Sequence, residues 1–406
     1  MLKATAFKPD SRDAWIRLGI ALLIGSIGSV GLWSVVVVLP VVQAAFAATR
    51  ADVSLAFTLC MLGFGSGAVL LGKLSDRHGI IVALGTGAII LFIGYLAAAV
   101  SPSLLLFNLC HFAIGLGAAA TFAPLMAEAS HWFERRRGLA VTIAASGNYV
   151  GGAIWPLLIE HGMATVGWRT TIVAVAVSST IAMALALLAL RSRMRDGSAR
   201  VHPSNFVPKI DLNLSVNSLT AILSIAAISC CVAMAMPQVH IVAYCGDLGY
   251  GVARGAEMLS IMLGLGIVSR IGSGFLADRI GGLKTLLIGS LAQGFALMFY
   301  MFFDSLYSLY IISAMFGLFQ GGIVPSYAII VRESMPAGEA ATRIGIVIFC
   351  SILGMSFGGW VSGLIFDKTG SYGAAFLNGV AWNALNVAIA VMLILRARQR
   401  MQLAPA

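Results

Sequence analysis

Arg270 stands inside an apolar run from about 255 to 277, eight residues before Asp278. At about 1.5 Å per helical residue it would lie about 12 Å from the polar end of that run. That is near mid-depth of a hydrocarbon layer about 30 Å thick. A cation there costs from ~2.5 to well over 10 kcal/mol, depending on how much water reaches it. No Asp or Glu lies at comparable depth, since Glu128 and Glu160 fall near helix ends. A buried cation facing a cavity should recruit an anion, and the planar guanidinium fork suits a carboxylate. The other uses open to Arg270 are snorkelling to headgroups and bonding backbone carbonyls.

Other polar side chains at depth could complete a binding site. His240 lies between Pro237 and Gly246, where proline could break a helix and expose backbone. It could donate to a ligand or carry a proton near neutral pH, or bond between helices. Asn108 and His111 are one helical turn apart and share a face; they could line a cavity or join helices. Asn148, Tyr149 and Gln320 are mid-run polar groups that each need a partner, from a ligand or a neighbouring helix. Trp33 could wall a pocket or simply pack. Asn378, Asn383 and Asn386 read as structural.

Several other chemistries find no support. Cys60, Cys110, Cys230, Cys231, Cys245 and Cys350 all lie in apolar stretches without CxxC spacing or neighbouring histidines, so they read as packing residues and no metal site is expected. Gly63-x-Gly65-x-Gly67 and Gly115-x-Gly117 have no preceding strand and no GK[ST]. They read as small residues at helix interfaces rather than phosphate loops. No cofactor is expected, and no convergent nucleophile–base set marks an enzyme.

The elements that must position these residues follow from composition. The 406 residues are 59% hydrophobic and 10% charged, with mean hydropathy +0.95; a soluble chain carries roughly 25% charge. The solvent for most of this chain must be lipid. Twelve runs are long enough to span a membrane, at about 15–42, 53–72, 80–99, 103–127, 138–160, 168–190, 216–244, 255–277, 283–303, 307–331, 343–365 and 372–395. The first is too long for a signal-peptide core and is expected to remain as a span. The formal charge of +10 comes from short basic clusters between the runs, which specify topology rather than nucleic-acid binding. With the N-terminus inside, inner segments hold 21 Lys and Arg and outer loops four. Both termini should therefore be cytoplasmic, in a multi-pass protein of the cell (inner or plasma) membrane.

The chain also repeats itself. Gly72-Lys73-Leu74-Ser75-Asp76-Arg77-His78-Gly79 and Gly274-Phe275-Leu276-Ala277-Asp278-Arg279-Ile280-Gly281 share G-x-L-x-D-R-x-G, 202 residues apart, after the second and eighth runs. Gly151-Gly152 and Gly358-Gly359 form a second matching pair. These features divide the chain into a six-helix bundle at 1–190, a basic linker at 191–215 and a second bundle at 216–406. Parallel repeats of this kind suggest a binding cavity between halves near the bilayer midplane. Gly72 and Gly274 would allow close helix approach. Asp76 and Asp278, with Arg77 and Arg279, could latch to a helix N-terminus or a guanidinium.

With its doubled inner-loop element the sequence resembles the major facilitator superfamily, over nearly its whole length. The resemblance implies an all-α membrane fold of twelve transmembrane helices in two pseudo-symmetric bundles. Three stretches are similar to the monocarboxylate-porter and oxalate–formate branch: His131-Trp132-Phe133-Glu134-Arg135-Arg136-Arg137-Gly138-Leu139-Ala140, Val239 to Gly249, and Asp367 to Phe376. That branch places an Arg at this point of the eighth helix to hold the substrate carboxylate, which implies the same role for Arg270. Animal monocarboxylate–proton symporters carry an Asp one turn earlier, where Gly266 stands. Oxalate–formate exchangers carry a Lys in the eleventh helix, and Ile344 to Ile365 has none. One buried cation fits a monocarboxylate better than a dianion.

The sequence thus reads as a secondary transporter of a small organic anion, lactate- or pyruvate-like, working by alternating access with proton symport or anion exchange. It is expected to act as a monomer among membrane lipids, with no nucleic-acid partner. The alternatives are efflux of a drug or other metabolite through the same fold, or a receptor without transport.

Overall fold

The computed structural model describes residues 10–133, 137–193 and 212–403, and every regular element among them is helical. Most of the expected linker (194–211) lies outside the described residues. The chain divides into two compact units, Met1–His202 and Pro203–Ala406.

In the first unit, α1 (Arg12–Gly28) and α2 (Val30–Ala45) meet at Ser29, followed by α3 (Arg50–His78) and α4 (Ile80–Ala99). Next come α5 (Leu104–Ala118), a 3-10 turn (Ala119–Thr121) and α6 (Ala123–His131), then α7 (Arg137–Val166) and α8 (Trp168–Arg193). Hydroxyl residues start three of them. Ser11, Thr49 and Ser103 accept the amide N–H groups of Ala14, Asp52 and Leu106 at 3.3, 3.1 and 3.3 Å, satisfying donors that a helix leaves unpaired at its first turn.

Close backbone approach holds the unit together. A Cβ at Gly63 would run into the Phe112 carbonyl, and one at Gly115 into that of Cys60. This seats α3 on α5 through the glycines expected at a helix interface. Gly151 meets the Ser26 carbonyl of α1 in the same way, and Trp155 donates its indole N–H to that carbonyl at 2.9 Å. At one end of the unit the guanidinium of Arg17 donates to the carbonyl of Arg193, the last residue of α8. The Arg193 side chain pairs with Asp13 at 3.2 Å, an exposed contact contributing ~0–1 kcal/mol.

The second unit contains α9 (Val216–Asp247), α10 (Val252–Ile280), α11 (Gly282–Phe302), α12 (Leu306–Gln320), α13 (Ile323–Ser334), α14 (Ala337–Thr369) and α15 (Tyr372–Leu403). Gly354 and Gly358 of α14 press on α9; an added Cβ would stand 2.6 Å from the Ile228 and Val232 carbonyls respectively. Gly317 and Gly321 bring α12 against the Met262 and Gly266 carbonyls of α10. Asn383 and Asn386 donate to the carbonyl and hydroxyl of Ser290 at 2.9 and 2.7 Å, and Tyr327 donates to Asn386 at 2.8 Å. Both asparagines are thus interhelical ties.

Eleven spans among the described residues are long and apolar enough to cross a membrane. The remaining expected span, 138–160, falls on α7, whose 30 residues reach ~45 Å. Its middle is less apolar because Ser146, Asn148 and Tyr149 sit there, followed by Pro156. Large apolar side chains such as Leu185, Phe275 and Ile311 point outward, each more than 60% exposed. That arrangement suits hydrocarbon rather than water.

Candidate functional site

The tenth span is two helices because of its own sequence. Pro325 has no amide N–H, so the Gly321 carbonyl four residues earlier lacks its helical donor. The chain turns at Gly321-Gly322 between α12 and α13. Arg270, 9% exposed in mid-α10, places its Nε 3.5 Å from that carbonyl, a long contact. The absence of a side chain at Gly321 lets the two backbones come close enough for it. Bonding to backbone was one of the uses open to Arg270, and its Nε takes it.

Gln320 precedes Gly321 and is 1% exposed, facing Gln238 of α9 at 2%. The Gln238 Nε2 donates to Gln320 Oε1 at 2.5 Å. Sequence reasoning singled out Gln320 but missed both Gln238 and the Gly321 carbonyl. The carbonyl was findable, since any proline inside a span frees the acceptor four residues before it. Gln238 carried no such signal.

His240, 1% exposed, sits in a helix that does not break. α9 runs unbroken through Pro237, correcting the expectation of exposed backbone there; the close seat of α14 on its flank supports it. The His240 Nε2 lies 2.8 Å from the Gly359 carbonyl. A carbonyl only accepts, so Nε2 carries the proton, and the side chain hooks α9 to α14.

In the first unit the structure brings Trp33 and Asn148 together. The Trp33 indole N–H donates to Asn148 Oδ1 at 2.9 Å and to its backbone oxygen at 3.1 Å. An indole nitrogen only donates, so the amide is fixed with Nδ2 turned away from Trp33. Tyr149, next in α7, is 7% exposed. Asn108 and His111 are both buried, and each bonds to backbone. Asn108 Nδ2 donates to the Asp52 carbonyl of α3 at 3.0 Å, and His111 Nδ1 bonds the Phe107 carbonyl at 2.8 Å.

The repeated junctions differ in detail from expectation. No heavy atom would stand within 4 Å of a Cβ at Gly72 or Gly274, so neither glycine serves close helix approach among the described residues. The last glycine of each element matters instead. Gly79 and Gly281 have φ of +87° and +85°, in a region that L side chains avoid. Each donates to the carbonyl four residues back at 2.8 Å, ending α3 and α10. The Asp76 side chain lies outside the described residues, while Arg77, Asp278 and Arg279 are exposed. The carboxylate at the start of α11 is that of Glu333 on α13, which accepts the Gly282 N–H at 3.0 Å and is favoured by the helix dipole.

Comparison with known proteins agrees with this architecture. The sequence profile of the Major Facilitator Superfamily matches residues 21–306 and 261–405. Monocarboxylate transporter 13 of Bos taurus is 27% identical over 366 residues, covering 88% of this chain and 82% of that protein. Monocarboxylate transporter 11 of Mus musculus is 25% identical over 398 residues, 93% and 86% of the two chains. The agnestins efflux protein AgnL12 of Paecilomyces divaricatus is 24% identical over 327 residues, 79% and 72%. Among solved structures, an inward-facing, occupied bacterial homologue of the human lysosomal transporter Spinster superposes with TM-score 0.73 at 15% identity, over 96% and 98% of the chains. A nucleoside transporter, NupG, superposes at 0.72 and 13% identity, over 94% and 99%. With a profile match along most of its length and the fold of these transporters, the chain belongs to the Major Facilitator Superfamily.

Proposed function

We propose that this chain is a secondary transporter of a small organic monocarboxylate, lactate- or pyruvate-like, with Arg270 as the carboxylate-binding residue. The observation that carries the reading is Arg270 itself: a guanidinium at 9% exposure in the middle of a span, oriented by a carbonyl that Pro325 releases. The relatives named as monocarboxylate transporters support the substrate class. Transport is by alternating access, coupled to a proton or to exchange of a second anion. The inner Asp–Arg elements at Asp76-Arg77 and Asp278-Arg279 are proposed as latches of one access state. Gln320, Asn148 and Tyr149 are proposed as further substrate contacts. Trp33 acts by fixing the Asn148 amide, His240 and Asn108 act as interhelical ties, and His111 bonds back to its own helix at Phe107. The membrane is the inner or plasma membrane, with both termini on the cytoplasmic side.

Uptake of labelled lactate, pyruvate, formate and oxalate into proteoliposomes, with and without an imposed pH gradient, tests this reading. Monocarboxylate uptake that falls at least tenfold in Arg270→Gln is expected from the loss of a charge-assisted pair worth about 1.5–3 kcal/mol. Uptake indifferent to that substitution would end the proposal. A second reading, efflux of a larger metabolite, draws on the relative named as an agnestins efflux protein, and predicts that Arg270→Gln is tolerated.

A further inference from the structure

We infer that Gln238 is a positioning residue that sets the amide polarity of Gln320, so that Gln320 offers N–H donors to a second acceptor oxygen on the substrate. This rests on the reading of Arg270 as the carboxylate anchor. Three observations within the second unit carry it. First, the Gln238 Nε2 donates to Gln320 Oε1 at 2.5 Å, which commits the acceptor end of the Gln320 amide. Second, the other end, Gln320 Nε2, is buried with no hydrogen-bond partner among the described residues, although the side chain is only 1% exposed. A buried donor of this kind calls for an acceptor. Third, Gln320 is the last residue of α12, and its chain neighbour Gly321 supplies the carbonyl 3.5 Å from the Arg270 Nε. Adjacent Cα atoms lie about 3.8 Å apart, so the amide starts from the same turn of chain that orients the guanidinium.

A neutral donor carried by the same turn of chain that bonds a cationic fork would select for more than charge. An acid with an oxo or hydroxyl oxygen on the carbon next to its carboxylate satisfies both groups. A plain aliphatic acid of the same length satisfies only Arg270 and leaves the Gln320 donor unpaired. A site built to bond a substrate oxygen discriminates against analogues lacking it. Arg270 would then set the requirement for a carboxylate and Gln320 the preference among carboxylates, with Gln238 acting only through Gln320.

The test is competition in proteoliposomes: labelled pyruvate uptake, with unlabelled propionate and lactate as competitors, in wild type, Gln238→Leu, Gln320→Leu, the double variant and Arg270→Gln. Wild type should favour pyruvate and lactate over propionate. Gln238→Leu and Gln320→Leu should each weaken pyruvate and lactate by about tenfold, the scale of one buried hydrogen bond. Propionate inhibition should stay unchanged. The double variant should be no worse than Gln320→Leu, because Gln238 has nothing left to orient. Gln238→Glu, whose carboxylate accepts from Gln320 Nε2 and turns its oxygen outward, should lose the same preference while keeping the pair intact. This covers the case in which a leucine variant fails to fold. If propionate and pyruvate are affected equally in the glutamine variants while Arg270→Gln weakens both, the inference fails and the carboxylate reading stands. If Arg270→Gln weakens neither, the carboxylate reading fails, and this inference falls with it.

Discussion

Buried polar side chains in this protein spend most of their capacity on backbone oxygens, and that decides which of them remain for a ligand. His240 bonds the Gly359 carbonyl through Nε2, His111 bonds Phe107 and Asn108 bonds Asp52. Among the buried amide donors of the described candidates, it is Gln320 Nε2 that is left without a partner. The assignment of His240 to an interhelical hook has a direct test. His240→Gln keeps a donor for Gly359, so uptake and its pH dependence should persist; His240→Ala should lower thermal stability in detergent by about 1 kcal/mol. Uptake that loses its pH response in the glutamine variant alone would identify His240 as a proton carrier instead. Arg270 was legible in the sequence because a cation in an apolar run is conspicuous by cost. Gln238 was not: one amide in an apolar helix looks like any other polar interruption, and its importance lies in a contact with a residue 82 positions away.

At the level of the helices, prolines and glycines set the geometry in ways that depend on position. Pro237 is carried inside a continuous α9, whereas Pro325 accompanies a break. The difference is the Gly321-Gly322 pair just before Pro325, which gives the chain freedom to turn where the hydrogen bond is already missing. Pro325→Ala restores an N–H able to reach the Gly321 carbonyl, competing with Arg270 for it. The expected outcome is a protein of similar melting temperature that binds carboxylate about threefold more weakly, since proline is tolerated in the first turn of a helix but here frees the carbonyl that meets the guanidinium. A variant with unchanged affinity would show that the carbonyl does not steer Arg270. Gly358 gives the opposite kind of test. A Cβ there would stand 2.6 Å from the Val232 carbonyl, so Gly358→Leu should abolish folded protein on size exclusion, while Gly72→Ala and Gly274→Ala should be tolerated. The spans themselves were readable because an apolar run of about 20 residues matches the thickness of a bilayer and exceeds what a soluble core strand or helix needs. Which glycines of the repeated junction matter was not readable, because a turn glycine with positive φ and a packing glycine look identical in sequence.

Over the whole molecule, a duplicated scaffold carries a buried guanidinium in its second unit, Arg270, proposed as the anchor for the substrate. The G-x-L-x-D-R-x-G elements recur 202 residues apart, and both end in a glycine of nearly the same φ. Among the described residues of the first unit, Arg270 has no counterpart at similar depth; the mid-span polar groups of α7 are neutral, and they lower its apolarity. On the proposed reading, recognition of charge belongs to the second unit and rests on Arg270. Equilibrium binding of labelled pyruvate to purified protein in detergent, wild type against Arg270→Gln, measures this without the complications of transport. Saturable binding is expected in the wild type, with a loss of about tenfold to a hundredfold in affinity in the variant and the melting temperature preserved. Equal affinity in the two proteins would contradict a carboxylate-binding role for Arg270.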